Sequence, residues 1–360
     1  MDITFLLPGV GFSGGVKIVC EYANKLQKKG HNVKVIYPTL YPEKRIRENS
    51  ALHFLNYLTH KLRNILKSEP ETKLDWFELD AELIRVPILH EKYIPDADAI
   101  IATWWGTAYD ISKLNESKGE KFYLIQHYEV WAGSKEEVEA TYNLGLHNIV
   151  ISSWLKSILE KLGSNVDNLI LNGIDFNEFY PEPAPKSRKI RVLMPFRNED
   201  WKGYEDGLNV LENIKKRYDV AFIMFGPKPW NYSIPDYVEF HELPVKDELR
   251  RLYSSSDIFL FPSQCEGFGL PPIEAMACKV PVVTTNVGAI PDCSIPGETA
   301  LVSEPGDIKG LTENLAELIE NKEKRLEIAE KGYRYVQQFN WDKATDELEK
   351  VIEQFVEKKD

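Results

Sequence analysis

The sequence lacks any apolar run long enough to span a bilayer, so no membrane-embedded domain is expected. Cysteine is scarce: four in 360 residues (Cys20, Cys265, Cys278, Cys293), with no paired spacing. This fits core thiols in a reducing compartment rather than a disulfide framework. The seven histidines include no pair at metal-ligand spacing. His53 and His60 can share a helix face, but nothing nearby completes a zinc site, and no structural metal is predicted. Positive charge is in deficit. A net charge of −12 argues against general nucleic-acid binding, which needs a broad basic surface to displace counterions. The segment Met1 to Pro8 has an acid, Asp2, where a secretory signal has basic residues, so a cytoplasmic location is the expectation. Repeats and low-complexity tracts are also absent.

What is present reads as a globular α/β protein. At about 150 residues per domain the length predicts two domains with a cleft between them. Short β-branched runs alternate with amphipathic helical stretches, the pattern of βαβ units and parallel sheets. A first set of strands is predicted at 3–8, 33–37, 99–104, 122–127, 148–152 and 169–171. A second is predicted at 190–196, 220–225, 238–241, 258–262, 280–285 and 300–303. Between the sets lies a segment with three prolines, Pro181, Pro183 and Pro185, which favours an extended connection. The predicted organisation is a first domain over 1–180, a linker over 181–189, a second domain over 190–340, and a closing amphipathic helix over 341–360 that can pack back on the first domain. Charge is uneven: Lys25 to Lys67 holds ten basic residues against two acids. Within it, residues 51–68 put Leu55, Leu58, Leu62, Ile65 and Leu66 on one helical face. That pattern suits peripheral membrane contact, and equally a helix packed on its own domain.

Several segments can carry chemistry. Glu266-Gly267-Phe268-Gly269-Leu270-Pro271-Pro272-Ile273-Glu274 follows a predicted strand and runs into a helix expected to start near Pro272. Its glycines let backbone approach a ligand, and the N–H groups and dipole of the helix favour an anion such as a diphosphate. Glu266 and Glu274 are ionised acceptors suited to sugar or ribose hydroxyls, or, on the bland reading, a strand cap and a solvated helix residue. Arg197 and Lys202 follow the first strand of the second set, at the carboxyl end where open α/β sheets bind ligands. There they can offset charge on a departing diphosphate. Gly9 to Gly14 spells G-x-G-x-x-G, but the next strand ends in Tyr37-Pro38-Thr39 with no acid for a ribose, which demotes a dinucleotide site. His127 closes a predicted strand, where its ring can project from the sheet.

The order from Glu266 to Ala277, two glutamates flanking seven residues with Gly-Phe-Gly-Leu between and Glu-Ala-Met-Ala at the end, resembles the signature of retaining GT-B glycosyltransferases of family four, the group 1 enzymes. The resemblance implies two facing Rossmann-like doubly wound domains, the acceptor held mainly by the first and the donor by the second. The donor substrate would be a nucleotide-diphosphate sugar, with no cofactor or metal, and the acceptor a glycan, lipid-linked or small molecule. By the same resemblance Glu266 faces the donor sugar, while Phe268, Gly269 and Leu270 supply backbone contacts. Glu274 binds the ribose, and Arg197 and Lys202 bind phosphate. Gly14 and Gly15 approach the donor phosphate, and His127 lies close to the transferred sugar. Pro-Phe-Arg at 195–197 departs from the family's usual Gly-Arg run. Asn172-Gly173-Ile174-Asp175 matches the family's lead into the second domain. Asp96-Ala97-Asp98 is similar to the metal-binding Asp-x-Asp of the GT-A fold, but it precedes its strand and reads as a strand-entry turn. Two alternatives remain at this point: a sugar-nucleotide epimerase of the same architecture, and a non-catalytic sugar-nucleotide-binding protein.

Overall fold

A computed structural model describes residues 1–39, 41, 73–183, 188–244 and 246–357. The chain forms two compact units, one of Met1–Ile151, Leu155–Ile170 and Trp341–Asp360, the other of Ser152–Trp154 and Leu171–Asn340.

The first unit contains β1 (Asp2–Leu6), α1 (Gly14–Lys28), β2 (Asn32–Pro38), β3 (Glu82–Val86), β4 (Ala99–Ala102), α2 (Trp105–Ser112), β5 (Glu120–Ile125), α3 (Lys135–Ala140), β6 (His147–Val150), most of α4 (Ser153–Lys161) and β7 (Asn168–Leu169). Its described strands make one seven-stranded sheet in the order β3-β2-β1-β4-β5-β6-β7, and every pairing is parallel. Successive side chains of a strand point to opposite faces. All four residues of β4 are buried, so both faces of the sheet are covered, as a parallel sheet requires. The six strands expected here are present. β3 is additional, and its sequence hides it: Glu82-Leu83-Ile84-Arg85-Val86 mixes charge with apolar residues because it is an edge strand, paired only to β2.

The second unit contains β8 (Arg191–Pro195), α5 (Tyr204–Lys215), β9 (Ala221–Gly226), β10 (Val238–Glu242), α6 (Asp247–Ser254), β11 (Ile258–Phe261), α7 (Leu270–Ala277), β12 (Val282–Thr285), α8 (Ile290–Cys293), β13 (Leu301–Ser303), α9 (Ile308–Glu320) and α10 (Lys322–Val336). The described strands form a parallel six-stranded sheet ordered β10-β9-β8-β11-β12-β13. Val192, Met194, Met224, Ile258, Leu260 and Val283 from its strands pack with Leu211, Leu311 and Leu315 from the helices into one core.

The division between units falls after Ile170, ahead of the proline-rich 181–189 segment, because the chain over 171–182 is already laid along the second unit. The Ile174 N–H donates to Phe339 O (3.1 Å), the Phe179 ring meets Tyr253 edge-on, and Arg250 Nε donates to Glu182 (3.1 Å). The final helix, α11 (Trp341–Val356), belongs to the first unit. Its buried stripe Ala344, Leu348, Val351 and Ile352 is the face predicted from sequence spacing. Trp341 stands edge-on to Tyr22 of α1, with centroids 5.2 Å apart, and Phe355 stacks on His147.

Two cations of the basic stretch are consumed in that packing, Lys25 with Asp342 and Lys29 with Asp346 and Glu349, while Lys28 pairs with Asp80 ahead of β3. The expected amphipathic helix over 51–68, with His53, His60 and the basic residues from Lys44 to Lys67, lies outside the described residues. Among the described residues no helix is long and apolar enough to cross a membrane. All four cysteines are free, and Cys20, Cys278 and Cys293 are buried.

Candidate active site

The topology selects where ligands can sit. In the second sheet the chain order runs outward in both directions from the β8/β11 junction, so the loops leaving those two strands diverge at a topological switch point. β8 leads into Phe196–Gly203, which carries Arg197 and, at the end of a short 3-10 turn over Asp200–Lys202, Lys202. β11 leads into the loop ending at Gly269, which carries Glu266.

These two loops are stitched together. The Gln264 N–H donates to Trp201 O at 2.8 Å. Gly203 has φ +71°, and a Cβ there would lie 2.0 Å from Pro262 O, so only glycine lets the loops close. The closure puts Lys202 Nζ 2.9 and 2.8 Å from the two carboxylate oxygens of Glu266. Ser263 donates a further hydrogen bond to the same carboxylate at 2.8 Å. Glu266 is only 8% exposed, and these charge-assisted bonds are what make its burial tolerable. From the other side, Gly288 (φ +57°) comes so close that a Cβ would lie 2.9 Å from Glu266 Cβ. The adjacent Ala289 N–H donates to Phe268 O at 2.9 Å. Glu266 to Phe268 is thus clamped between two glycine contacts.

One local expectation is corrected. α7 begins at Leu270, not near Pro272, and its next two positions are Pro271 and Pro272, which have no N–H. An anion here would therefore be met by loop and first-residue N–H groups rather than by a full helical turn of donors. Among the described residues no hydrogen bond engages the N–H groups of Phe268, Gly269 or Leu270. The bland reading of Glu274 as a solvated helix residue is also overturned. It is 8% exposed and accepts a hydrogen bond from Tyr253 at 2.8 Å. Burial, reinforced by the charge of Glu274, holds the Tyr253 phenol well above its usual range, so it stays a donor. Arg197, half-buried, donates to Phe196 O at 3.1 Å.

In the first sheet the order reverses between β1 and β4. β1 leads into the Gly9–Ser13 loop, and Ser13 caps α1 by accepting the Val16 N–H. Gly14 is exposed, and Gly15 packs so that a Cβ would meet Gln126 Oε1 at 3.4 Å. The neighbouring His127 lies just beyond β5, its ring edge-on to Trp131 with centroids 6.5 Å apart. Gly14, Gly15, Gln126 and His127 thus share one end of this sheet. Glu129, buried, accepts the Trp105 N–H at 2.8 Å at the start of α2. Burial pushes its carboxyl up to about 8 against the opposing pull of that hydrogen bond. Asp98 closes the strand-entry turn before β4, accepting the Asp2 N–H at 2.7 Å, and Lys118 pairs with Asp96.

Sequence reasoning missed the supporting residues: Ser263, Tyr253, Gly203, Gly288 and Glu129. Gly203 and Gly288 each follow a strand's carboxyl end, a signal that could have found them. The partners of the two glutamates could not be read without the fold.

A family model described as glycosyl transferases group 1 matches residues 175–335. The capsular polysaccharide biosynthesis glycosyltransferase CapM of Staphylococcus aureus is 32% identical over 270 residues, covering 68% of this chain and 68% of its own. The chain belongs to the group 1 glycosyltransferases. An uncharacterized glycosyltransferase of Methanocaldococcus jannaschii is 27% identical over 215 residues, 57% of this chain and 59% of that protein, so the match spans less than two thirds of that relative. HepE of Anabaena, solved in complex with UDP-glucose, superposes with a TM-score of 0.76 over 98% of this chain and 100% of its own at 16% identity. That likeness gives this group 1 glycosyltransferase the GT-B fold. Arg197, Lys202, Glu266 and Glu274 fall inside the family match, and Gly14, Gly15 and His127 fall outside it.

Proposed function

We propose that this glycosyltransferase transfers a sugar from a nucleotide-diphosphate donor, with retention of anomeric configuration and without a metal ion, to a glycan, lipid-linked or small-molecule acceptor in the cytoplasm. The observation that carries the reading is the Lys202–Glu266 pair at the β8/β11 switch point, beside the N–H groups of Phe268 to Leu270. A diphosphate arriving there competes with Glu266 for the Lys202 ammonium. Glu266 is then released to accept hydrogen bonds from donor sugar hydroxyls, and Arg197 adds a second cation to the phosphates. Glu274, oriented by Tyr253, takes the ribose hydroxyls.

In the chemical step the bond from C1 of the sugar to the β-phosphate oxygen breaks. The acceptor hydroxyl oxygen attacks C1 on the face the diphosphate leaves, and the acceptor proton passes to the departing phosphate oxygen. Charge grows on the diphosphate as that bond breaks, and prepositioned cations stabilise it most at that moment. Lys202 and Arg197 supply the positive charge that a divalent ion provides in other transferases. The UDP-glucose bound to HepE and the capsular polysaccharide role in CapM's name support this donor and acceptor chemistry.

The test is thermal stabilisation by a panel of sugar nucleotides and free nucleoside diphosphates in EDTA, repeated with Glu274→Ala. A ligand that binds only the folded state raises the melting temperature. A shift for one nucleotide base, lost in the variant, supports the donor site. Absence of a shift for every nucleotide overturns it. Conversion of the bound sugar nucleotide into its epimer with no acceptor present would replace transfer with epimerisation.

A further inference from the structure

The Lys202–Glu266 pair has to open before Lys202 can serve a phosphate, and opening it strips donors from a buried carboxylate. The two oxygens of Glu266 are not equally placed for that change. Among the described residues Oε2 accepts from Lys202 alone, at 2.8 Å. Oε1 accepts twice, from Lys202 at 2.9 Å and from the Ser263 hydroxyl at 2.8 Å. With Lys202 withdrawn, Ser263 is the donor that remains to this carboxylate. A buried charge left without a donor is strongly unfavourable, so the group that stays on Glu266 governs how readily Lys202 is released.

Ser263 is built to stay. Its side chain is fully buried, and its hydroxyl has one proton with three acceptors in reach: Glu266 Oε1 at 2.8 Å, and Trp201 O and Cys265 O at 3.2 Å each. The carboxylate oxygen is both the nearest and the charged acceptor, so it takes the proton. The Ser263 backbone is held from two sides. Thr285, fully buried at the end of β12, donates its hydroxyl to Ser263 O. On the opposite side a Cβ on Gly203 would lie 3.3 Å from Ser263 Cα, and the adjoining Gln264 N–H is bonded to Trp201 O.

We infer that Ser263 is a positioning residue of the donor site, whose hydroxyl holds the Glu266 carboxylate in place while a diphosphate takes Lys202 from it. The inference rests on the transferase reading above and adds to it the group that lets the ion pair open. It also divides the work of the carboxylate: Oε1 is kept by Ser263, and Oε2, vacated by Lys202, accepts from a hydroxyl of the donor sugar.

The test is a double-mutant cycle read by calorimetric titration of UDP, ADP and GDP. The proteins are the wild type, Ser263→Ala, Glu266→Ala and the double variant, with Ser263→Cys added because it fills the space of serine with only a weak donor. Ser263→Ala is expected to weaken the diphosphate that binds by about tenfold or more, the order of effect of one hydrogen bond to a charged group. Ser263→Cys is expected to lose affinity as Ser263→Ala does. In the Glu266→Ala background, where there is no carboxylate to hold, Ser263→Ala is expected to change affinity by less than about twofold, whereas a purely structural role would cost the same in both backgrounds. Equal losses in the two backgrounds, wild-type affinity in Ser263→Ala, or wild-type affinity in Ser263→Cys would each overturn the positioning role and leave the donor site standing. If none of the three diphosphates binds the wild type, the transferase reading fails and the role of Ser263 fails with it.

Discussion

The two sheets of this glycosyltransferase follow one topological rule and equip their switch points in opposite ways. At β8/β11 the loops carry formal charge, Arg197, Lys202, Glu266 and Glu274, and are pinned by glycines whose replacement would drive a Cβ into backbone. At β1/β4 and the adjoining end of β5 the side chains are aromatic or neutral, Phe12, Gln126, His127 and Trp131, with one buried carboxyl beneath them. Two glycines of the loop after β1 are permissive: Gly9 and Gly11 have no atom within 4 Å of an added Cβ. A diphosphate has fixed size and charge, so the site that meets it can be rigid and ionic.

The largest effect that would break this comparison is steric. Gly203→Ala is expected to destabilise the chain by at least about 2 kcal/mol, because alanine is strained at positive φ and its Cβ would strike Pro262 O. Gly11→Ala, in the permissive loop, is expected to change stability by less than about 0.5 kcal/mol. Chemical denaturation of the two variants measures both, and equal effects would erase the distinction. Next comes charge at the ionic site. Lys202→Ala is expected to lower kcat about 10²- to 10³-fold, the usual loss on removing one stabiliser of developing charge. Initial rates with EDTA present check this, and they check metal independence with it, since the wild-type rate should not change on chelation.

A third prediction concerns the neutral rim. The folded-state value for Glu129, about 8, stands above its ordinary 4.5, so the folded chain retains the proton longer than the unfolded one. Stability then declines as pH rises from about 4.5 to about 8 and levels off above that. Glu129→Gln should remove this slope, gaining on the wild type at pH 8 to 9 and matching it near pH 5. Parallel melting curves across that range test it, and an unchanged slope would place the titration elsewhere. The smallest effect belongs to the clasp of α11 on α1. Lys29→Ala, which removes one partner each from Asp346 and from Glu349, the latter still paired with His31 at 2.7 Å, should destabilise by less than about 1 kcal/mol and less still at high salt.

Much of this was legible in the sequence, and unequally so. Buried parallel strands such as Ile258–Phe261 are continuous apolar runs, so their existence and order could be read directly. The Glu266 to Glu274 segment was legible as a strand-to-helix loop because a tight turn at positive φ, as at Gly269, calls for glycine. β3 was not, since an edge strand is not obliged to be apolar on both faces. The start of α7 was misplaced because proline at the second and third helical positions looks like a start signal in sequence. The unit boundary fell earlier than the prolines because Ile174 and Phe179 already pack on the second unit. The Tyr253 support of Glu274 and the Trp105 support of Glu129 were invisible, because each joins segments that only the folded chain brings together.

The central claim is that the β8/β11 switch point is the donor diphosphate site. Calorimetric titration of UDP, ADP and GDP, each beside its monophosphate, into the wild type and Lys202→Ala tests it most directly. The account predicts that one diphosphate binds the wild type more tightly than its monophosphate, and that Lys202→Ala abolishes this preference. A diphosphate preference of the same size in both proteins would contradict it.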